Sequence, residues 1–261
     1  MDILIISASA LVASCLTFFS GFGLGTILTP VFALFFPVSI AIAMTTVVHL
    51  ANNLFKIGLV GRDAHWPTVI RFAVPAGLAA IIGASVLAKT STLLPLLSYE
   101  LIGRIHDITP VKALIGTVIT VFTLLELSPS FARMAFPSRW LVVGGLLSGF
   151  FGGLSGNQGA LRSAFLIKLG LSKEAYVGTG AVCTVVVDVV RLAVYGFTLP
   201  AALEIVRSNQ SAMLVLIAAA SAFAGSYFGM RLLKKVTLRT VELTVAVLMI
   251  AVGCGLASGL L

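Results

Sequence analysis

Thr45, His49, Asn52, Asn53 and Lys56 lie in one apolar stretch, three or four residues apart, so they share a face of a helix. Gly180, Thr184, Asp188 and Arg191 repeat the pattern at a constant offset of 135 residues, which aligns His49 with Thr184, Asn53 with Asp188 and Lys56 with Arg191. Tyr195 continues the second stripe. Ionisable groups at the centre of a membrane helix cost roughly 2.5–3.5 kcal/mol each on insertion scales. A chain that places them there twice has a use for them. Arg162 adds a further charge, just after Gly156-Asn157-Gln158-Gly159. With His49 neutral, Lys56, Arg162 and Arg191 against Asp188 leave the interior with a formal charge of +2. Such a site favours an anion, and arginine is shaped for bidentate contact with an oxyanion. Thr45, Asn52, Asn53, Asn157, Gln158 and Thr184 would supply hydrogen bonds, Asp188 would orient Arg191, and His49 is placed to relay a proton.

Each residue also has a plainer reading. Asp188 and Arg191 are three apart and could neutralise one another. Lys56 is near the end of its stretch and could snorkel to the interface. His49 could be a satisfied buried histidine, and Asn52 and Asn53 could hold helices together. Arg162 could bind carbonyls freed by the glycine break. Arg62, Asp63, His65, His106 and Asp107 read as solvated loop residues.

The elements that must position the stripes are membrane helices. Of 261 residues, 59% are hydrophobic and 10% charged, against about 25% charged in soluble domains. Mean hydropathy is +1.13. The expected class is an all-α polytopic membrane protein, of multi-pass type in the cell membrane. Four apolar stretches fall in each half: about 2–37, 38–60, 67–89 and 110–127, then 139–170, 173–198, 210–232 and 239–260. Roughly 20 residues span the hydrocarbon. The first and fifth stretches are too long for one crossing and too short for two, and glycines interrupt both: Gly21, Gly23 and Gly25, then Gly152, Gly153, Gly156 and Gly159. Each reads as a re-entrant or broken hairpin of half-helices, which add positive helix N-termini to the site. One hairpin plus three crossings per half makes the halves, 1–128 and 129–261, inverted repeats.

Loop charge supports this layout. Hairpins put Arg62, Arg71, Arg133, Arg139, Lys168, Lys173, Arg231, Lys234, Lys235 and Arg239 on one side, against Lys89, Arg104, Lys112 and Arg207 on the other. Eight plain crossings divide the same residues nine to five, so hairpins fit the positive-inside rule better and predict both termini outside. Trp66 and Trp140 fall at segment starts, as interfacial anchors do.

The net charge of +8 is then loop charge retained inside, and no nucleic acid is expected. Cys15, Cys183 and Cys254 read as small buried hydrophobes. Gly145, Gly149 and Gly153, with Gly225 and Gly229, form small-xxx-small rows that offer a surface for a homodimer. No cleavable signal peptide is evident. Enzyme and nucleotide-binding signatures are missing: no HExxH, no GxSxG, no P-loop. Neither cofactor nor metal is called for.

Gly21-Phe22-Gly23-Leu24-Gly25 with Pro30 and the Thr45–Lys56 helix resembles the first module of the TauE/SafE family of sulfite and organosulfonate exporters. Gly152-Gly153-Leu154-Ser155-Gly156-Asn157-Gln158-Gly159 and the helix from Gly178 to Arg191 resemble its second module. The chain departs from the family at Arg162-Ser163-Ala164, where a proline matching Pro30 is usual. The resemblance implies a multi-pass permease exporting a small sulfur-containing anion such as sulfite, sulfoacetate or a related sulfonate. Two alternatives stand beside it: proton-coupled uptake of a small anion, and a non-transporting membrane subunit or scaffold.

Overall fold

A computed structural model describes residues 2–20, 24–101, 103–200, 204, 208–232 and 239–261. Gly21, Phe22 and Gly23 of the first glycine break, and the loop charges Arg207, Lys234 and Lys235, lie outside the described residues. The chain is almost wholly helical: α1 (Asp2–Ser20), α2 (Leu24–Ala33), α3 (Val38–Val60), α4 (Trp66–Ser91), α5 (Pro110–Leu127), α6 (Pro129–Ala132), α7 (Leu141–Ser155), α8 (Gly159–Leu166), α9 (Lys173–Thr198), α10 (Asn209–Leu232) and α11 (Arg239–Ala257). Among the described residues, five helical spans, corresponding to α3, α4, α5, α9 and α10, are long and apolar enough to cross a membrane. In α11 the apolar stretch so described runs from Ala246 to Ala257.

The surface fits that class. Ile70, Leu78 and Ile82 on α4, Leu216 on α10 and Val247 on α11 are exposed, while Asn52, Thr184, Asp188 and Arg191 are buried. A soluble protein arranges these types the other way round. Trp66 and Trp140 are exposed at the starts of α4 and α7.

Glycines set the closest approaches. A Cβ at Gly145, Gly149 or Gly153 of α7 would fall on the carbonyl oxygen of Phe72, Ala76 or Ala80 of α4. Both numberings rise together, so α4 and α7 run parallel. Gly225 of α10 meets Leu11 of α1 in the same way. Gly145, Gly149, Gly153 and Gly225 of those rows are therefore used inside the chain, where the missing Cβ lets backbones touch. Along α3 and α9 one numbering falls as the other rises: a Cβ on Gly178 would strike the Val60 carbonyl, and His49 meets Asp188. These two helices run antiparallel.

The second glycine break is a left-handed turn. Gly156 has φ of +85° and caps α7, a conformation that favours glycine. α8 then folds back along α7: Phe165 packs on Gly144, and the Phe136 N–H donates to the Ala164 carbonyl at 3.0 Å. The turn forms without the proline absent at Arg162-Ser163-Ala164. Ser172 opens α9 by accepting from the Ala175 N–H at 3.1 Å.

Two expectations need correction. His106 and Asp107 are not loop residues but lie on strand β2 (Arg104–Ile108), paired antiparallel with β1 (Leu97–Leu101). His106 stacks on Tyr99, whose hydroxyl donates to the Ser258 carbonyl at 2.8 Å. Of the cysteines, Cys183 is buried, but Cys15 is half-buried and Cys254 exposed on the apolar outer face.

Candidate functional site

Gly25, the last glycine of the first run, approaches the second glycine break at the polar stripes. A Cβ on Gly25, at the start of α2, would lie 3.4 Å from the Gly156 carbonyl oxygen, 3.8 Å from Thr45 Cγ2 and 3.9 Å from His49 Cδ2. A Cβ on Gly156 would lie 2.8 Å from Arg191 Nη1. The start of α2, the second break, α3 and α9 thus converge on one region, and glycine at 25 and 156 keeps the space around the imidazole and guanidinium open.

Asp188 is its electrostatic centre. Its Oδ1 is 2.9 Å from Arg191 Nη2, an ion pair whose alignment is not that of a hydrogen bond. Its Oδ2 is 2.7 Å from His49 Nδ1. A carboxylate only accepts, so Nδ1 carries the imidazole proton; this tautomer is assigned from the contact. Gln158 Nε2 donates to Asp188 Oδ1 at 3.5 Å. Asp188 and Arg191 are wholly buried, and His49 is 4% exposed. Charges this far from water persist only with partners, and here each half of the chain contributes some of them.

The break itself is braced by α9. Arg191 Nη1 donates to the Gly152 carbonyl at 3.1 Å, and the Tyr195 hydroxyl donates to the Gly153 carbonyl at 2.6 Å. Gly156 interrupts α7, so these side chains tie the end of that helix to α9. Ser148 Oγ donates to the Gln158 carbonyl at 3.1 Å and closes the turn from the other side.

The remaining stripe residues take up distinct positions. Lys56 is buried rather than snorkelled to a surface, at 7% exposure. Half-buried Arg162 donates through Nη1 to Thr184 Oγ1, and Thr184 donates in turn to the Gly180 carbonyl at 2.9 Å. Asn53 donates back to the His49 carbonyl at 2.8 Å. Asn52 faces α1 and α10, where Ser226 and Ser14 donate to its Oδ1 at 2.8 and 3.2 Å. The two serines, 2.7 Å apart, were not anticipated from the sequence. They carry no charge, and nothing in their spacing marks them among the other small residues of apolar helices.

Several buried polar atoms have no hydrogen-bonding partner within the protein: Thr45 Oγ1, Asn52 Nδ2, both amide atoms of Asn157, and Arg191 Nε. Thr29 Oγ1 on α2 joins them. An unsatisfied buried donor costs about 1–3 kcal/mol, and most of these atoms can donate. The unpartnered Nε of the Arg191 guanidinium is a donor that an oxyanion would satisfy. Among the described residues no group of three or more His, Cys, Asp or Glu side chains is arranged to hold a metal ion.

A family model described as Sulfite exporter TauE/SafE matches residues 6–256. No curated protein and no solved structure matches the chain.

Proposed function

The chain belongs to the sulfite exporter TauE/SafE family, a family of multi-pass membrane transporters, and from that premise we propose that it exports a small sulfur-containing oxyanion through the site around Arg191. The observation that carries the reading is the wholly buried guanidinium of Arg191, whose Nε has no hydrogen-bonding partner within the protein and which lies against the Gly156 turn next to the unpartnered amide residue Asn157. Lys56 and Arg162 add positive charge, Asn53, Gln158 and Thr184 shape the lining, and Asp188 orients Arg191. Outward movement needs no coupled ion for its direction: with a negative interior, each anionic charge leaving gains about 2.3 kcal/mol per 100 mV.

Helix directions favour the inverted arrangement of the halves. α3 and α9 align in sequence at the 135-residue offset yet run antiparallel. Corresponding helices point opposite ways when each half makes an odd number of crossings, and the same way when it makes four. Reciprocal contacts fit a two-fold relation. Gly116 of α5 and Gly253 of α11 face one another's carbonyls, and Gly83 sits on α7 as Gly225 sits on α1.

The closed His49–Asp188–Arg191 bridge is also what a non-transporting scaffold would contain. Efflux of labelled sulfite or sulfoacetate from proteoliposomes separates the two. Transport by the wild type that falls in the Arg191→Ala, Arg162→Ala and Lys56→Ala variants supports the export reading, and a wild type that moves neither anion sinks it.

A further inference from the structure

We infer that one proton accompanies each anion, because the anion and Asp188 compete for Arg191 and the displaced carboxylate recruits a proton onto His49. The inference rests on the export reading and concerns its coupling. Two ion pairs meet at Asp188: Arg191 on one oxygen at 2.9 Å, His49 on the other at 2.7 Å. Arg191 lies on the same helix as Asp188, whereas His49 comes from the other half of the chain. An oxyanion held by Arg191 Nε and Nη2 takes the place of the Asp188 carboxylate there, since one guanidinium edge presents a single fork. Asp188 then keeps its charge in a buried setting with His49 and Gln158 as its remaining partners.

A neutral imidazole offers that carboxylate only a hydrogen bond, and a protonated one offers a full countercharge. Nδ1 already donates to Asp188, so the added proton enters at Nε2. It comes from water on the side where the anion loads and returns to water where the anion leaves. The only bond made and broken is N–H, and Asp188 and Arg191 keep their charges throughout. The other ionisable groups acting on the imidazole are Lys56 on its own helix and Asp188 and Arg191 on α9. The cations among them oppose the extra proton, so His49 charges only while the bound anion offsets them. For a dianion one negative charge remains, and the membrane potential still drives it outward.

The test is simultaneous measurement of sulfoacetate efflux and lumenal pH in proteoliposomes; sulfoacetate stays fully ionised near neutrality and brings no proton of its own. The wild type is expected to move one proton per sulfoacetate, and His49→Asn to move sulfoacetate more slowly with the proton signal lost. Asp188→Asn is expected to abolish coupling as well, since it leaves no carboxylate to recruit the proton. Wild-type efflux without proton movement, or an unchanged ratio in both variants, overturns the inference while leaving export intact. A wild type that moves no sulfoacetate or sulfite overturns the export reading and the coupling with it.

Discussion

Arg191 is wholly buried and shares its charge with a single carboxylate. Removing one partner of a buried pair costs about 3–5 kcal/mol, chiefly because the other charge is left unpaired. Arg191→Ala is therefore expected to lower thermal stability markedly and to abolish transport. Adding Asp188→Asn removes the stranded charge, so the double variant should recover much of the lost stability without recovering flux. Detergent melting curves paired with flux assays would show this, and a double variant that transports normally would remove Arg191 from the site. Part of this cluster was readable from spacing, since Asp188 and Arg191 are three apart on one helical face. The bond from His49 to Asp188 spans 139 residues and was not, because which helix faces α3 is settled by packing. Asn52 was marked as polar, but its two serine partners on α1 and α10 become neighbours only when those helices pack through Gly225.

At the scale of elements, the glycines of α7 do two different jobs. Gly145, Gly149 and Gly153 let α7 lie against the backbone of α4, and Gly156 supplies the left-handed turn. Gly149→Leu would drive a side chain into the Ala76 backbone and should sharply reduce the yield of folded protein. Gly58→Ala meets nothing within 4 Å and should be neutral or stabilise by up to about 1 kcal/mol through helix propensity. Gly156→Ala combines an unfavourable φ with crowding of Arg191 Nη1, so it should impair flux more than it impairs melting temperature. The glycine rows were visible in the sequence, but whether such a row faces a neighbour in the same chain or a second copy depends on tertiary contacts. The β1–β2 hairpin leaves only a short signal in the sequence: Leu97-Ser98-Tyr99-Glu100-Leu101 alternates apolar and polar residues, and Gly103 follows at φ +70°. Amid long apolar helices, so short a period does not stand out from a loop.

For the whole molecule, the question is how the halves sit in the bilayer. If segment 139–170 is a hairpin, Arg139 and Lys168, both exposed, lie on the same face of the membrane; if it crosses, they lie on opposite faces. With Cys15, Cys183 and Cys254 replaced by alanine, Arg139→Cys and Lys168→Cys should both react with an impermeant maleimide from the cytoplasmic side, and Arg104→Cys from the outside. Opposite labelling of the first two would refute the inverted arrangement. The apolar segments, the paired stripes and the position of the second break could be read from composition and periodicity alone. Helix directions could not, because a hairpin and a crossing have the same hydropathy; the antiparallel contact of α3 with α9 carries that information.

The central claim is that a sulfur oxyanion passes through the buried site at Arg191. The most direct measurement is efflux of labelled sulfoacetate from proteoliposomes under an inside-negative potential, comparing the wild type with Arg191→Gln, which keeps bulk and hydrogen bonding but not charge. Losing a charge-assisted contact of about 1.5–3 kcal/mol corresponds to a fall of roughly 10- to 150-fold. Efflux that rises with the potential in the wild type and drops by that factor in Arg191→Gln is the predicted result. Equal efflux from the two proteins would contradict the account.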